Sequence, residues 1–139
     1  MKKKAQVKKT QIGYLAGGTG ITPCFHVLQS SLRNKDGVNH SMLFGNRTVG
    51  DILLHEELRD LAEDNAVHFK IHFTVDVAPP AEAKWTEGVG FMTKEMIQKH
   101  MPAPGPDTLI LFCGPKPFNK MLKTVLPELG YTEDMMFKF

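Results

Sequence analysis

The strongest constraint on the fold is a short apolar segment that ends in glycines and leads at once into a helix start. Gln11–Ala16 predicts a buried strand, and Thr22-Pro23 predicts a helix N-cap with proline at the first helical position. The glycines between them can adopt backbone angles that other residues resist. A strand that enters a helix through such a turn is the opening unit of an α/β fold.

Strand and helix patterns then alternate to the end of the chain. The other predicted strands are Val38–Phe44, the alternating residues Val67–Val75, the continuous apolar run Thr108–Cys113, and Met135–Phe139. The predicted helices cover Phe25–Leu32, Leu54–Leu61, Thr93–His100 and Phe118–Leu129, and Pro127 is expected to bend or end the last one. This order predicts a Rossmann-like parallel sheet of about five strands with helices on both faces, a three-layer α/β/α fold.

Charge and hydropathy exclude some classes of function. The net charge of +2 over 139 residues is too small to indicate a nucleic-acid groove. No stretch approaches the ~20 apolar residues of a membrane span, and no secretory signal pattern is present. Lys2, Lys3, Lys4, Lys8 and Lys9 define a basic N-terminal extension over residues 1–10, which we expect to be solvated, and the domain itself is expected at residues 11–139.

The cysteines and histidines are scattered. Cys24 and Cys113 form no Cys-x-x-Cys pair, so we expect free thiols in a reducing, intracellular compartment. His68 and His72 fall on one side of a predicted strand, but no third ligand accompanies them. No metal site is therefore predicted.

Ligands of parallel α/β sheets bind at the carboxyl ends of the strands, so the loops that follow the strands form the candidate site. The first loop is Gly17-Gly18-Thr19-Gly20-Ile21-Thr22-Pro23, in which the glycines let a phosphate approach the main chain at a helix N-terminus. Pro23 stands where G-x-G-x-x-G has its third glycine, and no Walker lysine follows. Taken alone, the loop fits either a pyrophosphate site or a tight turn.

Three other loops also offer two interpretations. Cys113-Gly114-Pro115-Lys116-Pro117-Phe118 leaves room for a flat ring, although Cys113 alone also suits a small buried side chain at a strand end. Asp76 suits hydrogen bonds from a ribose 2′-hydroxyl and repulsion of a 2′-phosphate, or it caps the following turn. Gly45-Asn46-Arg47-Thr48 offers an amide, a guanidinium and a hydroxyl to a sugar or phosphate, or it is an ordinary turn.

Taken together, these segments resemble a known family. Gly17–Pro23, Phe44–Leu53, Phe69–Asp76, Gly90-Phe91 and Cys113–Phe118 occur in the order and spacing of the nucleotide-binding domain of NADH–cytochrome b5 reductase. The matching domain of plant and fungal nitrate reductase, in the ferredoxin–NADP reductase superfamily, is equally similar. The resemblance runs from about Gln11 to Phe139.

The resemblance implies a role for each loop. The implied NADH-binding residues are Gly17, Gly18, Thr19, Gly20, Ile21, Thr22, Pro23, Asn46, Arg47, Thr48, Asp76, Cys113, Gly114, Pro115, Lys116, Phe118 and Phe139. The glycine turn would support the pyrophosphate, Asp76 would favour NADH over NADPH, and Cys113–Pro115 would border the nicotinamide where it meets a flavin. Cys113 and Thr22 would act by placement of the nicotinamide and not as an acid or base, and Phe139 would lie close to the same junction.

Two departures from the family pattern stand out. The family commonly has Cys-Gly-Pro-Pro-Pro-Met, whereas Lys116 and Phe118 replace a proline and the methionine here. The family's FAD-binding barrel precedes its nucleotide-binding domain, and only about ten residues precede the first predicted strand. We therefore expect the barrel to be absent from this chain and the chain alone to be inactive.

The implied activity is hydride transfer from NADH to FAD, followed by electron transfer to a haem protein such as cytochrome b5. Its implied partners are the FAD-binding domain of the same parent protein and that haem protein. If the domain instead belongs to a nitrate reductase, electrons continue to a fused haem and molybdenum domain. The residues also fit a free-standing nucleotide-binding or sensor domain, or glycine loops that are only turns.

Overall fold

A six-stranded parallel sheet forms the centre of the molecule, and a computed structural model describes it over residues 9–139. Most of the predicted basic extension, including Lys2–Lys4 and Lys8, lies outside the described residues. The strands are β1 (Gln11–Gly17), β2 (Asn39–Asn46), β3 (Phe69–Val75), β4 (Gly88–Val89), β5 (Thr108–Cys113) and β6 (Met136–Lys138). The helices are α1 (Ile21–Asn34), α2 (His55–Asp64), α3 (Lys94–His100) and α4 (Lys116–Glu128).

The strand order β4-β3-β2-β1-β5-β6 places the first strand at the turning point of the topology. From β1 the chain moves outward through β2 and β3 to β4, then returns to the other side of β1 with β5 and β6. Crevices at such a reversal are the usual ligand sites of open parallel sheets. A ligand site is therefore expected at the carboxyl ends of β1 and β5.

Helices cover both faces of the sheet, which confirms the predicted three-layer α/β/α architecture. One core packs α1 and α2 on the sheet through Cys24, Leu28, Leu58, Tyr14, Phe44 and Phe73. The other packs α3 and α4 on the opposite face through Ile97, Leu122, Leu126, Leu15, Leu43 and Ile110. Neighbours such as Tyr14 and Leu15 serve different cores because successive strand residues point to opposite faces. Each fully buried side chain of this size contributes about 2 kcal/mol.

The start of α1 differs from the prediction. Its N-cap is Gly20 rather than Thr22, because Gly18–Gly20 forms a 3-10 turn that runs directly into the helix. The Ile21 amide donates back to the carbonyls of Gly18 and Thr19, so helical geometry begins before Thr22. Pro23 still lies in the first turn, where its missing N–H costs no hydrogen bond.

Smaller differences occur at other element ends. Val67 was expected to point inward with Phe69, but its side chain is 82% exposed. The amides of His68 and Phe69 both donate to the Asn65 carbonyl, so the turn after α2 continues through Val67 and β3 starts only at Phe69. Pro127 lies in the last turn of α4, which ends one residue later, as predicted.

Candidate functional site

The loops that follow β1, β2, β3 and β5 meet at the carboxyl edge of the sheet and enclose a cleft of about 720 Å³. Its lining residues are Gly17, Gly18, Thr19, Gly45, Asn46, Arg47, Asp51, Leu53, Thr74, Asp76, Phe91, Met92, Pro115, Pro117, Phe118 and Met121. A volume of this order suits a ligand of dinucleotide or drug size.

The glycine turn after β1 is in direct backbone contact with the loop after β5. A Cβ atom on Gly20 would lie 2.1 Å from the Cys113 carbonyl oxygen and 2.9 Å from the Gly114 nitrogen. Gly18 has φ = 55°, in the left-handed region that favours glycine. Only glycine at position 20 permits the two loops to touch, so Gly20 serves the geometry of the cleft, whereas Gly18 serves the turn.

The loop after β5 is packed from several sides. A Cβ atom on Gly114 would lie 2.3 Å from the Phe118 ring. A Cβ atom on Gly17 would lie 3.4 Å from the same ring. The Asn119 side-chain amide donates to the Gly114 carbonyl at 2.9 Å. These contacts fix a rigid wall in which Pro115 and Phe118 face the cleft.

The loops after β2 and β3 are joined by their backbones. The Asp76 amide donates to the Asn46 carbonyl at 3.0 Å, and the Val77 amide donates to the Arg47 carbonyl at 2.9 Å. The Thr48 hydroxyl donates to the Asp51 carboxylate at 2.9 Å. Arg47, Asp51 and Asp76 bring one cation and two carboxylates to this part of the cleft.

Asn46 lies in the cleft wall and has an unsatisfied, buried donor. Its side chain is 8% exposed, and its Nδ2 has no hydrogen-bond partner among residues 9–139. A buried donor left unpaired costs about 1–3 kcal/mol of folding free energy. The Nδ2 atom itself is shielded from solvent, so it would meet a ligand oxygen only after the Asn46 side chain turns towards the cleft.

The predicted site residues fall into three groups. Those that line the cleft are Gly17, Gly18, Thr19, Asn46, Arg47, Asp76, Pro115 and Phe118. Gly20, Ile21, Cys113 and Gly114 lie behind it, where Gly20 and Ile21 are buried and the other two half-buried. Thr22, Pro23, Thr48, Lys116 and Phe139 lie outside the lining, and Thr22 and Lys116 are exposed.

Phe139 nevertheless lies beside the end of β5. Its amide donates to the Phe112 carbonyl at 3.1 Å, and its ring packs edge-on against Phe137 with centroids 5.3 Å apart. Phe137 and Phe139 are 53% and 38% exposed. The two rings form an accessible aromatic pair next to the Cys113–Pro115 loop.

Both cysteines are free thiols. Burial, together with the neighbouring Cys113, raises the pKa of the Cys24 thiol to about 12. Cys24 is therefore protonated and unreactive at neutral pH. Cys113 ends β5 and is half-buried.

Sequence reasoning missed several lining residues. Asp51, Leu53, Phe91 and Met121 face the cleft, and Phe91 is 77% exposed there. Leu53 and Phe91 belong to the segments that carried the family resemblance, so the resemblance could have identified them as site residues. Met121 follows the apolar stripe of α4, so its spacing did not distinguish it from a core residue.

The described chain contains neither a membrane-spanning helix nor a cluster of metal ligands. No helix within residues 9–139 is long and apolar enough to span a bilayer. Over the same range, no three His, Cys, Asp or Glu residues converge as ligands for a metal ion.

A parallel sheet with a glycine turn and a large cleft at its topological switch point defines a dinucleotide-binding domain. The sequence profile of the family described as oxidoreductase NAD-binding domain matches residues 14–124. The chain belongs to this family.

Individual relatives agree with this assignment. The chain is 45% identical over 128 residues to NADH–cytochrome b5 reductase 1 of Arabidopsis thaliana, covering 91% of this chain and 44% of that protein. It is 41% identical over 132 residues to NADH–cytochrome b5 reductase 1 of Dictyostelium discoideum, covering 94% and 45%. The crystal structure of the cytochrome b5 reductase domain of Ulva prolifera nitrate reductase is similar with a TM-score of 0.88 and 33% identity, covering 94% and 50%.

The resemblance inferred from the sequence is thus confirmed, for the cytochrome b5 reductases and for the nitrate reductase domain. The chain spans about half the length of these relatives.

Proposed function

We propose that residues 11–139 are the NADH-binding domain of a flavin-dependent oxidoreductase. In this proposal a hydride passes from NADH to FAD, and electrons then pass to a haem protein such as cytochrome b5. The observation that carries it is the junction of the glycine turn with the Cys113–Phe118 loop, which opens onto one cleft shared with Asn46 and Asp76.

The residues present fit NADH. Gly17, Gly18 and Thr19 offer a slim backbone and a helix start to the pyrophosphate, and Arg47 adds a cation on the cleft wall. Asn46 adds an amide side chain to the same wall. Exposed Phe91 offers a flat apolar surface to the adenine, and Asp76 offers a carboxylate to the ribose hydroxyls.

The protein's part in the reaction is placement. When bound, the nicotinamide and the flavin supply the redox chemistry. In this proposal the loop Cys113–Pro115, of which Pro115 lines the cleft, would hold the flat ring in one orientation, and Thr22, in the first turn of α1, would act by placement beside it. Orientation of two reactants contributes several kcal/mol to lowering a barrier. We assign no side chain of this domain as a general acid or base.

The FAD-binding domain of the same parent protein is the proposed first partner. We propose that this barrel is contributed by another part of that protein and that it meets this domain beside Cys113. The exposed Phe137 and Phe139 give this edge an apolar contact surface. The free thiols support a reducing, intracellular location of the parent protein.

The nitrate reductase role is the second candidate. Similarity to the Ulva prolifera domain over 94% of this chain, at 33% identity, supports this role, and the reductase sequences, at 41–45% identity, support the first. In that role, electrons leave the flavin for a fused haem and molybdenum domain. The haem partner of the parent protein distinguishes the two, since one candidate uses a separate protein and the other a fused domain.

Calorimetric titration of this chain with NADH and with NADPH tests the proposal. We expect tighter binding of NADH. Tighter or equal binding of NADPH would keep the cleft as a dinucleotide site and remove Asp76 from its role. No binding of either, with or without an added flavin domain, would leave the glycine loops as structural turns.

A further inference from the structure

We propose that Asn119 is a positioning residue for the nicotinamide, because it holds the Cys113–Pro115 loop in the conformation that receives the ring. This inference deepens the proposed binding of NADH and rests on it. Asn119 lies in the second turn of α4, outside the cleft lining, so it acts through the loop and does not touch the ligand itself.

Besides the backbone hydrogen bond from the Asn119 amide to the Pro115 carbonyl at 3.0 Å, the loop has three supports. The backbone at Gly20 lies against Cys113 and Gly114, and the Phe118 ring lies against Gly114. The third is the Asn119 Nδ2, which donates to the Gly114 carbonyl at 2.9 Å. The first two contacts are steric and set how closely the loop can approach. The hydrogen bond is directional, so it sets the rotation of the Gly114 peptide.

Stability alone does not account for an asparagine at this position. Its Oδ1 is buried and has no hydrogen-bond partner in the described part of the chain. The hydrogen bond to Gly114 is thus offset by an unsatisfied oxygen, whereas leucine, a side chain of similar shape, would remove that oxygen and leave the Gly114 carbonyl without this donor. The amide is therefore best explained by what its Nδ2 does to the Gly114 carbonyl.

Amide NMR spectra of the ¹⁵N-labelled chain, titrated with NADH, test this role. In the wild type we expect NADH to shift the amide signals of Cys113 and Gly114 as well as those of Gly18 and Asp76. Asn119→Leu removes both polar atoms of the side-chain amide, and Asn119→Asp keeps the size but loses the donor. In both variants we expect the shifts at Cys113 and Gly114 to collapse while those at Gly18 and Asp76 remain. Loss of one hydrogen bond should weaken NADH binding by about 3- to 10-fold.

Thr124→Val is the matched control, because Thr124 lies on the exposed side of the same helix and its hydroxyl donates to the Lys120 carbonyl. Its spectra should match those of the wild type. A melting temperature of Asn119→Leu close to that of the wild type, together with loss of the Cys113 and Gly114 shifts, supports positioning over a structural role.

Three outcomes would overturn the inference. The first is wild-type shifts at Cys113 and Gly114 in both variants, and the second is failure of both variants to fold, which would make Asn119 structural. The third is a wild type that shows shifts at Gly18 and Asp76 with none at Cys113 or Gly114, which would leave the proposed binding of NADH intact. Absence of shifts at all four residues would instead contradict the proposed function itself.

Discussion

At the scale of single residues, the backbone of Asp76 is fixed by a hydrogen bond and its side chain is exposed. Its amide is fixed by the Asn46 carbonyl at 3.0 Å, and its exposed carboxylate lines the cleft. Asp51 lines the same cleft, held by the Thr48 hydroxyl. In the proposed complex, carboxylates at this place would favour ribose hydroxyls and oppose an additional phosphate.

Asp76→Asn should therefore narrow the preference for NADH over NADPH. Removing one negative charge near a 2′-phosphate should raise NADPH affinity relative to NADH by roughly tenfold. Calorimetry with both dinucleotides measures this ratio. Asp64→Asn, on the exposed end of α2, is the control and should leave it unchanged. An unchanged ratio of NADPH to NADH affinity in the Asp76 variant would show that Asp76 serves only the turn after β3.

Cys113→Ser probes placement at the end of β5. The substitution keeps a small side chain but shortens the reach of its last atom, so the fold should be retained while ring placement changes. In this chain joined to a flavin domain, hydride transfer should slow by roughly tenfold. Stopped-flow measurement of flavin reduction gives the rate. Cys24→Ser, in the α1 core, is the control: it changes core packing without changing the placement of the nicotinamide. Wild-type rates would remove Cys113 from its assigned role.

At the scale of elements, the cleft depends on how β1–α1 meets β5–α4. The contact is made by backbone, since the Cβ position of Gly20 lies 2.1 Å from the Cys113 carbonyl oxygen. Neither loop can relax away easily, because each one joins a buried strand to a helix packed on the sheet.

Gly20→Ala should consequently destabilise the domain by about 3 kcal/mol, because the new methyl group collides with backbone rather than with a mobile side chain. Urea unfolding measures the loss. Gly50→Ala is the control, since the nearest atom to its Cβ position is the Thr48 Oγ1 at 3.9 Å, and its stability should change little. Equal stability of the two variants would contradict the close contact.

The elements show how far the sequence alone could predict this molecule. Continuous apolar runs bounded by turn residues located β1 and β5 to within one residue. β4 was missed because it is two residues long, contains Gly88 and has no alternation to detect. The N-cap of α1 was misplaced because a 3-10 turn preceding a helix has no distinct sequence pattern.

The sequence predicted those cleft residues that lie at or just after the ends of strands. Gly17, Asn46 and Asp76 follow the rule that ligands bind beyond the carboxyl ends of parallel strands. Asp51 and Phe91 do not follow directly from any predicted strand, since one lies in a 3-10 turn and the other after β4. Tertiary packing decides whether these two residues face the cleft, and neither spacing nor composition contains that information.

At the scale of the whole molecule, a polar network that runs from the core to the surface connects the sheet to α1. The Tyr14 hydroxyl lies 2.8 Å from His40 Nδ1, and His40 Nε2 lies 3.1 Å from the Ser31 hydroxyl. The Ser31 hydroxyl in turn donates to Asp36 at 2.7 Å. This order suits a neutral His40 that accepts from Tyr14 and donates to Ser31. Burial lowers the pKa of His40 to about 4.

His40 should make the domain sensitive to mild acid. In the unfolded chain its pKa is about 6.5, so the unfolded state takes up the proton first, and stability falls as the pH drops from about 6.5 towards about 4. Between pH ~7 and pH ~5.5, the wild type should lose about 1 kcal/mol more than His40→Asn, whose amide does not titrate. Urea unfolding at both values measures the difference.

His26→Asn, exposed on α1, is the control for this experiment and should retain the wild-type dependence. An equal pH dependence in His40→Asn and the wild type would show that His40 does not control the acid response.

The contact between Gly20 and Cys113 also has a kinetic consequence. It joins positions about ninety residues apart in the chain, and β5 must pair with β1 before it can form. Contacts of such long sequence separation form late and slow the folding of parallel sheets. An intermediate that has paired only β1, β2 and β3 would hold the glycine turn without its opposite wall. A dinucleotide would then bind only to chains that have completed this step, so its binding can serve as a reporter of the final stage of folding.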